Sequence, residues 1–148
     1  MKPLVRILFL AFIALSCSKS NGDQYIPVVT VQHQLDLNDP LYTKLNYNNG
    51  YVYLDYDGVK GIIVVNSGGI IYALERDCPY QPNNACAKVT VENGGITIRC
   101  GSYDASKKWV PCCNSQFKLD GTLLQGPSKY SLKRYNVVQD GTVINISN

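Results

Sequence analysis

The chain has 148 residues, a length that suits one domain rather than two. It carries 14 Lys and Arg against 11 Asp and Glu, but Lys2 and Arg6 fall in the first 16 residues, which leaves 12 against 11 beyond them. That near-neutral remainder has only isolated basic pairs, Lys107-Lys108 and Lys133-Arg134, and no basic stripe, so nucleic acid is excluded as a partner.

The N-terminus reads as an export signal. Lys2 and Arg6 give a basic start, residues 4–15 are apolar apart from Arg6, and polar residues 18–23 follow. The apolar run is too short to span a bilayer, which needs roughly 20 residues. Ser16-Cys17 at its end resembles a bacterial lipoprotein signal, in which the cysteine becomes the lipid-modified first residue. Ordinary cleavage nearby is the alternative and would leave Cys17 as a spare thiol. The resulting division is a signal over 1–16, a tether over 17–26 and one domain over 27–148.

From Pro27 onward the pattern is strand after strand. Val28-Val29-Thr30-Val31-Gln32 is β-branched and bounded by Pro27, and Asp39-Pro40 marks a turn within 36–44. Tyr51-Val52-Tyr53-Leu54-Asp55-Tyr56 is strand-like, and Asp57-Gly58 is a two-residue hairpin signal. Gly61-Ile62-Ile63-Val64-Val65 returns, Ser67-Gly68-Gly69 turns, and Ile70-Ile71-Tyr72-Ala73-Leu74 completes a meander. Residues 77–85 are rich in Pro, Asn and Gln without periodicity. Two short alternating strands, 88–92 and 96–99, flank Asn93-Gly94-Gly95, and 101–108 reads as a polar loop. Asp120-Gly121 and Asp140-Gly141 set up two more hairpins, the second between strands at 134–139 and 142–146. No window of 11 or more residues keeps a helical period, so the class is all-β, as a sandwich or small barrel.

Five cysteines follow Cys17: Cys78, Cys86, Cys100, Cys112 and Cys113. They are expected in loops or at strand ends within a subdomain at about 77–118. Such crowding points to disulfides in an oxidising compartment or to thiolates on a metal.

Residues from about 50 to 146 resemble a Rieske domain, the small β fold that carries a two-iron cluster on two loops. The likeness lies in Ser115-Gln116-Phe117, Asp120-Gly121, Gly126-Pro127 and Leu132 to Tyr135, which follow the family's Gly-Ser-x-Phe, Asp-Gly, Gly-Pro and Leu-x-x-Tyr order. Cys78-Pro79-Tyr80 stands where the family has its first Cys-x-His. The strand ending in Cys100 stands where the family feeds its second loop. The ligands depart from the pattern. A Rieske centre uses two cysteines and two histidines, whereas here Tyr80 and Cys113 occupy the histidine positions and His33 is the one histidine. A conventional Rieske cluster within this chain is excluded by that count.

The resemblance implies that Cys78 and Cys100 match the cysteine ligands and that Cys86 and Cys112 match an inter-loop disulfide found in some relatives. It also places Cys78 and Cys113 beside an emptied cavity that a second disulfide would close. Insertions at 81–85 and 101–111 separate this chain from the pattern. The alternative is a metal reading in which Cys78, Tyr80, Cys100 and Cys113 hold Zn or a 2Fe-2S cluster. Export argues against a preloaded cluster, because the signal lacks the adjacent arginine pair of folded-protein export.

Other chemistry is thin. His33 reads as a structural histidine, and Asp55 and Asp57 as an exposed strand end before a hairpin. Gly68-Gly69 and Gly94-Gly95 are turn residues rather than a phosphate cradle. The expectation is a non-enzymatic, lipid-anchored envelope protein facing the periplasm or the outside, without cofactor, whose loops bind a ligand or an envelope partner. The alternative is an electron carrier with non-standard cysteine ligation. A thiol–disulfide exchange protein is a third reading, disfavoured by the lack of a Cys-x-x-Cys pair.

Overall fold

A computed structural model describes residues 25–148. The signal, Cys17 and most of the tether lie outside the described residues. Ten strands run in chain order: β1 Gln32–Asp36, β2 Tyr51–Leu54, β3 Ile62–Ser67, β4 Ile70–Glu75, β5 Val89–Val91, β6 Thr97–Tyr103, β7 Trp109–Lys118, β8 Leu123–Gln125, β9 Arg134–Asp140 and β10 Val143–Ser147. One 3-10 turn, Thr43–Asn46, lies between β1 and β2. Two antiparallel sheets result, one of six strands in the order β1-β10-β9-β4-β3-β2 and one of four in the order β5-β6-β7-β8. The all-β expectation holds, and among the described residues no helix is long and apolar enough to cross a membrane.

The uninterrupted Ile62-Ile63-Val64-Val65 run explains how the sheets meet. A strand covered on both faces has no polar side to show, so it reads as continuous apolar sequence rather than as an alternation. Ile62 and Val64 point into one core with Leu35, Ile71, Ala73, Ile144 and Ile146. Ile63 and Val65 point into a second core with Leu74, Val89, Ile98 and Phe117, and that core also contains Cys78 and Cys100. β3 is therefore the wall between a core inside the curled larger sheet and a core shared with the smaller sheet.

Four expectations shift. The first strand begins at Gln32 rather than Val28, because the ladder pairs Gln32 with Ser147 and runs to Asp36 opposite Val143. Residues before it are held by a side chain instead: the Val31 N–H donates to Asn148 Oδ1 at 3.0 Å, and Asn148 Nδ2 donates to the Val29 carbonyl at 2.6 Å. Asp57-Gly58 is not a two-residue hairpin. Leu54 pairs with Ile62, so 55–61 form a longer loop. It is pinned by the buried Glu75 carboxylate, which accepts the Val59 and Lys60 N–H groups at 2.8 and 3.1 Å. The expected loop over 101–108 shrinks to 104–108, since Tyr103 pairs with Trp109 and their rings meet edge-on at 5.0 Å. Finally, Cys100, Cys112 and Cys113 lie inside β6 and β7, not in loops. Asn93-Gly94-Gly95, Ser67-Gly68-Gly69, Asp120-Gly121 and Asp140-Gly141 turn the chain as expected.

Candidate thiol centre

A local irregularity in the smaller sheet builds the centre. Arg99 pairs with Gln116, and two residues later Gly101 pairs with Pro111. Between those pairs β6 contributes Cys100 alone, while β7 contributes the four residues 112–115. The surplus must bulge out of the ladder, and a bulge re-aims side chains while bending its strand. Gly101 permits the close approach: with φ +142, a Cβ there would lie 2.5 Å from the Val110 carbonyl oxygen and 2.6 Å from the Trp109 ring. Asn114, at the bulge, takes φ 61 in the left-handed region that Asn tolerates better than most residues. Its Oδ1 accepts from Arg99 Nη2 at 2.9 Å.

The bulge brings Cys112 against Cys86 and Cys113 against Cys78. Cys86 and Cys112 form a disulfide, with Cα atoms 5.5 Å apart, and so tie the loop after β4 to β7. This is the inter-loop pairing that the family resemblance implied. Cys78, Cys100 and Cys113 are free thiols. Their sulfurs all lie within 4.8 Å of one another, and Cys78 Sγ stands 3.6 Å from Cys113 Sγ. Cys78 and Cys100 are fully buried, whereas Cys113 is half-buried. Tyr80 packs against the same core.

Ser115 supports this corner from below. Its buried Oγ is hydrogen-bonded to Cys113 Sγ at 3.2 Å and accepts the Ser128 N–H at 3.0 Å. Gly126 packs directly on it, for a Cβ at Gly126 would fall 2.5 Å from Ser115 Cα. The Gly126-Pro127 corner thus fixes the residue that positions Cys113.

Three thiols this close titrate as a coupled set, because ionising one disfavours ionising its neighbours. Hydrogen bonds from Cys100 first and Cys78 second hold Cys113 below the ordinary thiol range, with Ser115 adding to the effect. The reciprocal contacts hold Cys78 above that range, through Cys100, then Cys113, then burial. Cys100 is raised as well, chiefly by Cys113. Of the three, Cys113, the least buried, is the thiol whose ionisation is favoured.

The first loop is held by a group that sequence reasoning missed. Lys60 Nζ donates to the carbonyls of Pro82, Asn84 and Ala87 at 2.7, 2.8 and 3.0 Å, and pairs with buried Asp77 at 2.9 Å. Lys60 is placed in turn by Glu75, which also accepts the Asp77 N–H at 2.9 Å and the Tyr135 hydroxyl at 2.7 Å. A sequence signal existed, because Glu75-Arg76-Asp77 puts three charges between a buried strand and Cys78. Charges there must be paired to be tolerated.

His33 takes no part. On β1 its Nδ1 contacts Asp57 Oδ2 at 2.9 Å. Asp55 is engaged by Arg76, whose guanidinium also lies 4.0 Å from the Tyr53 ring centroid. The two aspartates thus serve separate ion pairs from within a loop, not one face of a strand. A separate cleft of about 870 Å³ opens beside the 3-10 turn, lined by Tyr47, Tyr51 and Tyr53 with Asn48, Asn49 and Asp55.

The donor set does not fit a Rieske cluster, which needs two imidazoles on one iron. The corner offers three thiols, and the one histidine of the chain is engaged elsewhere.

No protein-family model and no curated protein matches the sequence. Solved structures do. The cyanobacterial plasma membrane Rieske protein PetC3 from Synechocystis PCC 6803 superposes with a TM-score of 0.50 at 23% identity, over 80% of this chain and 98% of that one. The ferredoxin of carbazole 1,9a-dioxygenase from Nocardioides aromaticivorans IC177 superposes with a TM-score of 0.46 at 20% identity, over 80% and 97% of the two chains.

Proposed function

From its Rieske-like fold, we propose that this chain is a lipid-anchored cell-envelope protein in which the two-iron cluster has been given up and the scaffold serves as a binding or structural module. The observation that carries the reading is the donor set. Where the two cysteine-bearing segments meet there are three thiols and Tyr80, and no imidazole. The loops no longer need a cluster to hold them, since the Cys86–Cys112 disulfide and the Lys60 ammonium tie them down. Loops fixed on a rigid sheet are where recognition concentrates, and the first loop and the 104–108 tip are the proposed contact surface. The tyrosine-lined cleft beside β2 gives the binding reading a second place for a ligand.

Anchoring rests on Ser16-Cys17 at the end of the apolar run. Labelled fatty acid should enter the protein and be lost in Cys17→Ser, which should leave the membrane fraction. The test of the functional reading is iron and acid-labile sulfide in the protein as isolated. A colourless protein free of both is expected. Brown protein with two irons and two sulfides per chain would establish the rival reading, an electron carrier with cysteine-rich ligation, which the convergence of three thiols favours.

A further inference from the structure

We infer that Cys78, Cys100 and Cys113 form a mononuclear thiolate site for Zn²⁺. The inference rests on the reading above, that no two-iron cluster occupies this corner, and goes beyond it by assigning what the thiols hold instead.

Geometry favours one metal over two. With Zn–S bonds of about 2.3 Å, two thiolates on one ion lie at most about 4.6 Å apart and about 3.8 Å apart at a tetrahedral angle. The Cys78–Cys113 separation of 3.6 Å corresponds to an S–Zn–S angle of about 103° at that bond length. The 4.8 Å bound on all three sulfurs means that no pair must close by more than about 1.0 Å to reach the tetrahedral spacing around one ion. Three donors leave the fourth position of a tetrahedral ion open, the pattern of a zinc site that keeps one place for water or an incoming ligand. That open side is the Cys113 side, because Cys78 and Cys100 are fully buried.

Charge favours a divalent ion over a monovalent one. Three thiolates around a divalent ion leave one net negative charge among apolar neighbours such as Val89, Ile98 and Phe117. A monovalent soft ion such as Cu⁺ would leave two, at a greater desolvation cost. The supporting shell also fits, since ligands in metal sites are held by outer hydrogen bonds. Ser115 orients Cys113, and the Cys78 N–H donates to the Ala87 carbonyl at 3.1 Å in the loop that Lys60 clamps.

The test is made on the full chain, purified without chelator. Metal analysis should find one zinc per chain, and three thiols should become reactive only after a chelator strips it. Replacement by Co²⁺ should give the thiolate-to-cobalt charge-transfer and visible bands of a tetrahedral sulfur-rich site. Cys113→Ser, at the half-buried position, should lower zinc affinity by more than the about 100-fold typical of losing an outer-shell partner. Tyr80→Phe should leave the cobalt spectrum unchanged. Should Cys113→Ser not fold, the cobalt spectrum of the unaltered chain still decides. Three reactive thiols that take up neither Zn²⁺ nor Co²⁺, a Cys78–Cys113 disulfide, or copper in place of zinc would each overturn the assignment while leaving the cluster-free reading intact. Iron with sulfide would overturn both.

Discussion

Lys60 Nζ stands 2.9 Å from Asp77 Oδ1, and the same ammonium collects three carbonyls from the loop that begins at Cys78. The amine does inside this loop what a bound cation does elsewhere: it gathers oxygens that would otherwise point at one another. Asp77 is nearly fully buried, and burial pushes its carboxyl above the usual range, with Lys60 opposing the rise.

Lys60→Met should therefore destabilise the protein and loosen the first loop. Removing one partner of a buried pair costs about 3–5 kcal/mol. Lys60 is about one-fifth exposed, so about 2–3 kcal/mol is expected at pH 7. The sign with pH follows from the raised Asp77. A carboxyl whose folded value is raised favours folding most when protonated, below its unfolded value near 3.9, and loses that contribution as pH rises through the folded value. The Lys60→Met penalty should thus shrink in acid, and adding Asp77→Asn should recover part of it at pH 7. Urea midpoints at two pH values for the three variants check this. An equal penalty at both would show that the carbonyl contacts, not the charge, carry the effect.

The Cys86–Cys112 disulfide closes a loop across 26 residues. Replacing both cysteines with serine should cost about 2–4 kcal/mol, mainly by freeing the unfolded chain. Proteolysis should move to residues 79–86, whose remaining anchor is Lys60. Denaturant melts with limited proteolysis measure both. An unchanged cleavage pattern would mean that Lys60 alone suffices.

Most of the fold was legible because its signals are local. The Asp120-Gly121, Asp140-Gly141 and Gly-Gly turns, the β-branched strands and the Ile62-Ile63-Val64-Val65 strand each declare their role through neighbours in sequence, whereas Asp57-Gly58 opens into a longer loop that the distant Glu75 pins. The thiol corner was legible as a cluster but not as an arrangement. Its shape depends on a register shift that sets Cys100 alone against residues 112–115, and registers are settled by tertiary pairing. The Glu75, Lys60 and Tyr135 network was hidden for a similar reason, since its members are 15 and 60 residues apart.

The register shift depends on two backbone positions that behave differently under substitution. At Asn114, with φ 61, glycine should be tolerated, whereas a β-branched residue such as valine should cost about 1–2 kcal/mol. At Gly126 alanine should cost more than it does at Gly68. Both have positive φ, but an added Cβ at Gly68 meets nothing within 4 Å, while at Gly126 it meets the Ser115 backbone. In chelator-treated protein Gly126→Ala should also lower the reactivity of Cys113, because displacing Ser115 removes a hydrogen bond that holds its thiol value down. Thermal melts and thiol-labelling rates separate the effects. Equal losses at the two glycines would mean that conformation alone decides.

Tyr135, on β9 beside the strand of Glu75, closes the network, its hydroxyl donating to buried Glu75 Oε2 at 2.7 Å. Burial first, and then Glu75, hold this phenol well above the ordinary tyrosine value. Tyr135→Phe leaves the carboxylate one donor short, a loss of about 1.5–3 kcal/mol for a hydrogen bond to a charged group. Above about pH 10 the unfolded chain releases the Tyr135 proton while the folded chain keeps it. The folded state then binds more protons, so stability falls as pH rises through that range. The contribution is whole below the unfolded value and is lost toward the folded one. Tyr135→Phe should therefore be less stable at pH 7 yet show a shallower alkaline decline, and the two stability curves should converge. Chemical denaturation between pH 7 and the alkaline limit measures this. Parallel curves would place the alkaline loss on another tyrosine, such as Tyr53, whose hydroxyl accepts the Val91 N–H and whose value is also raised by burial.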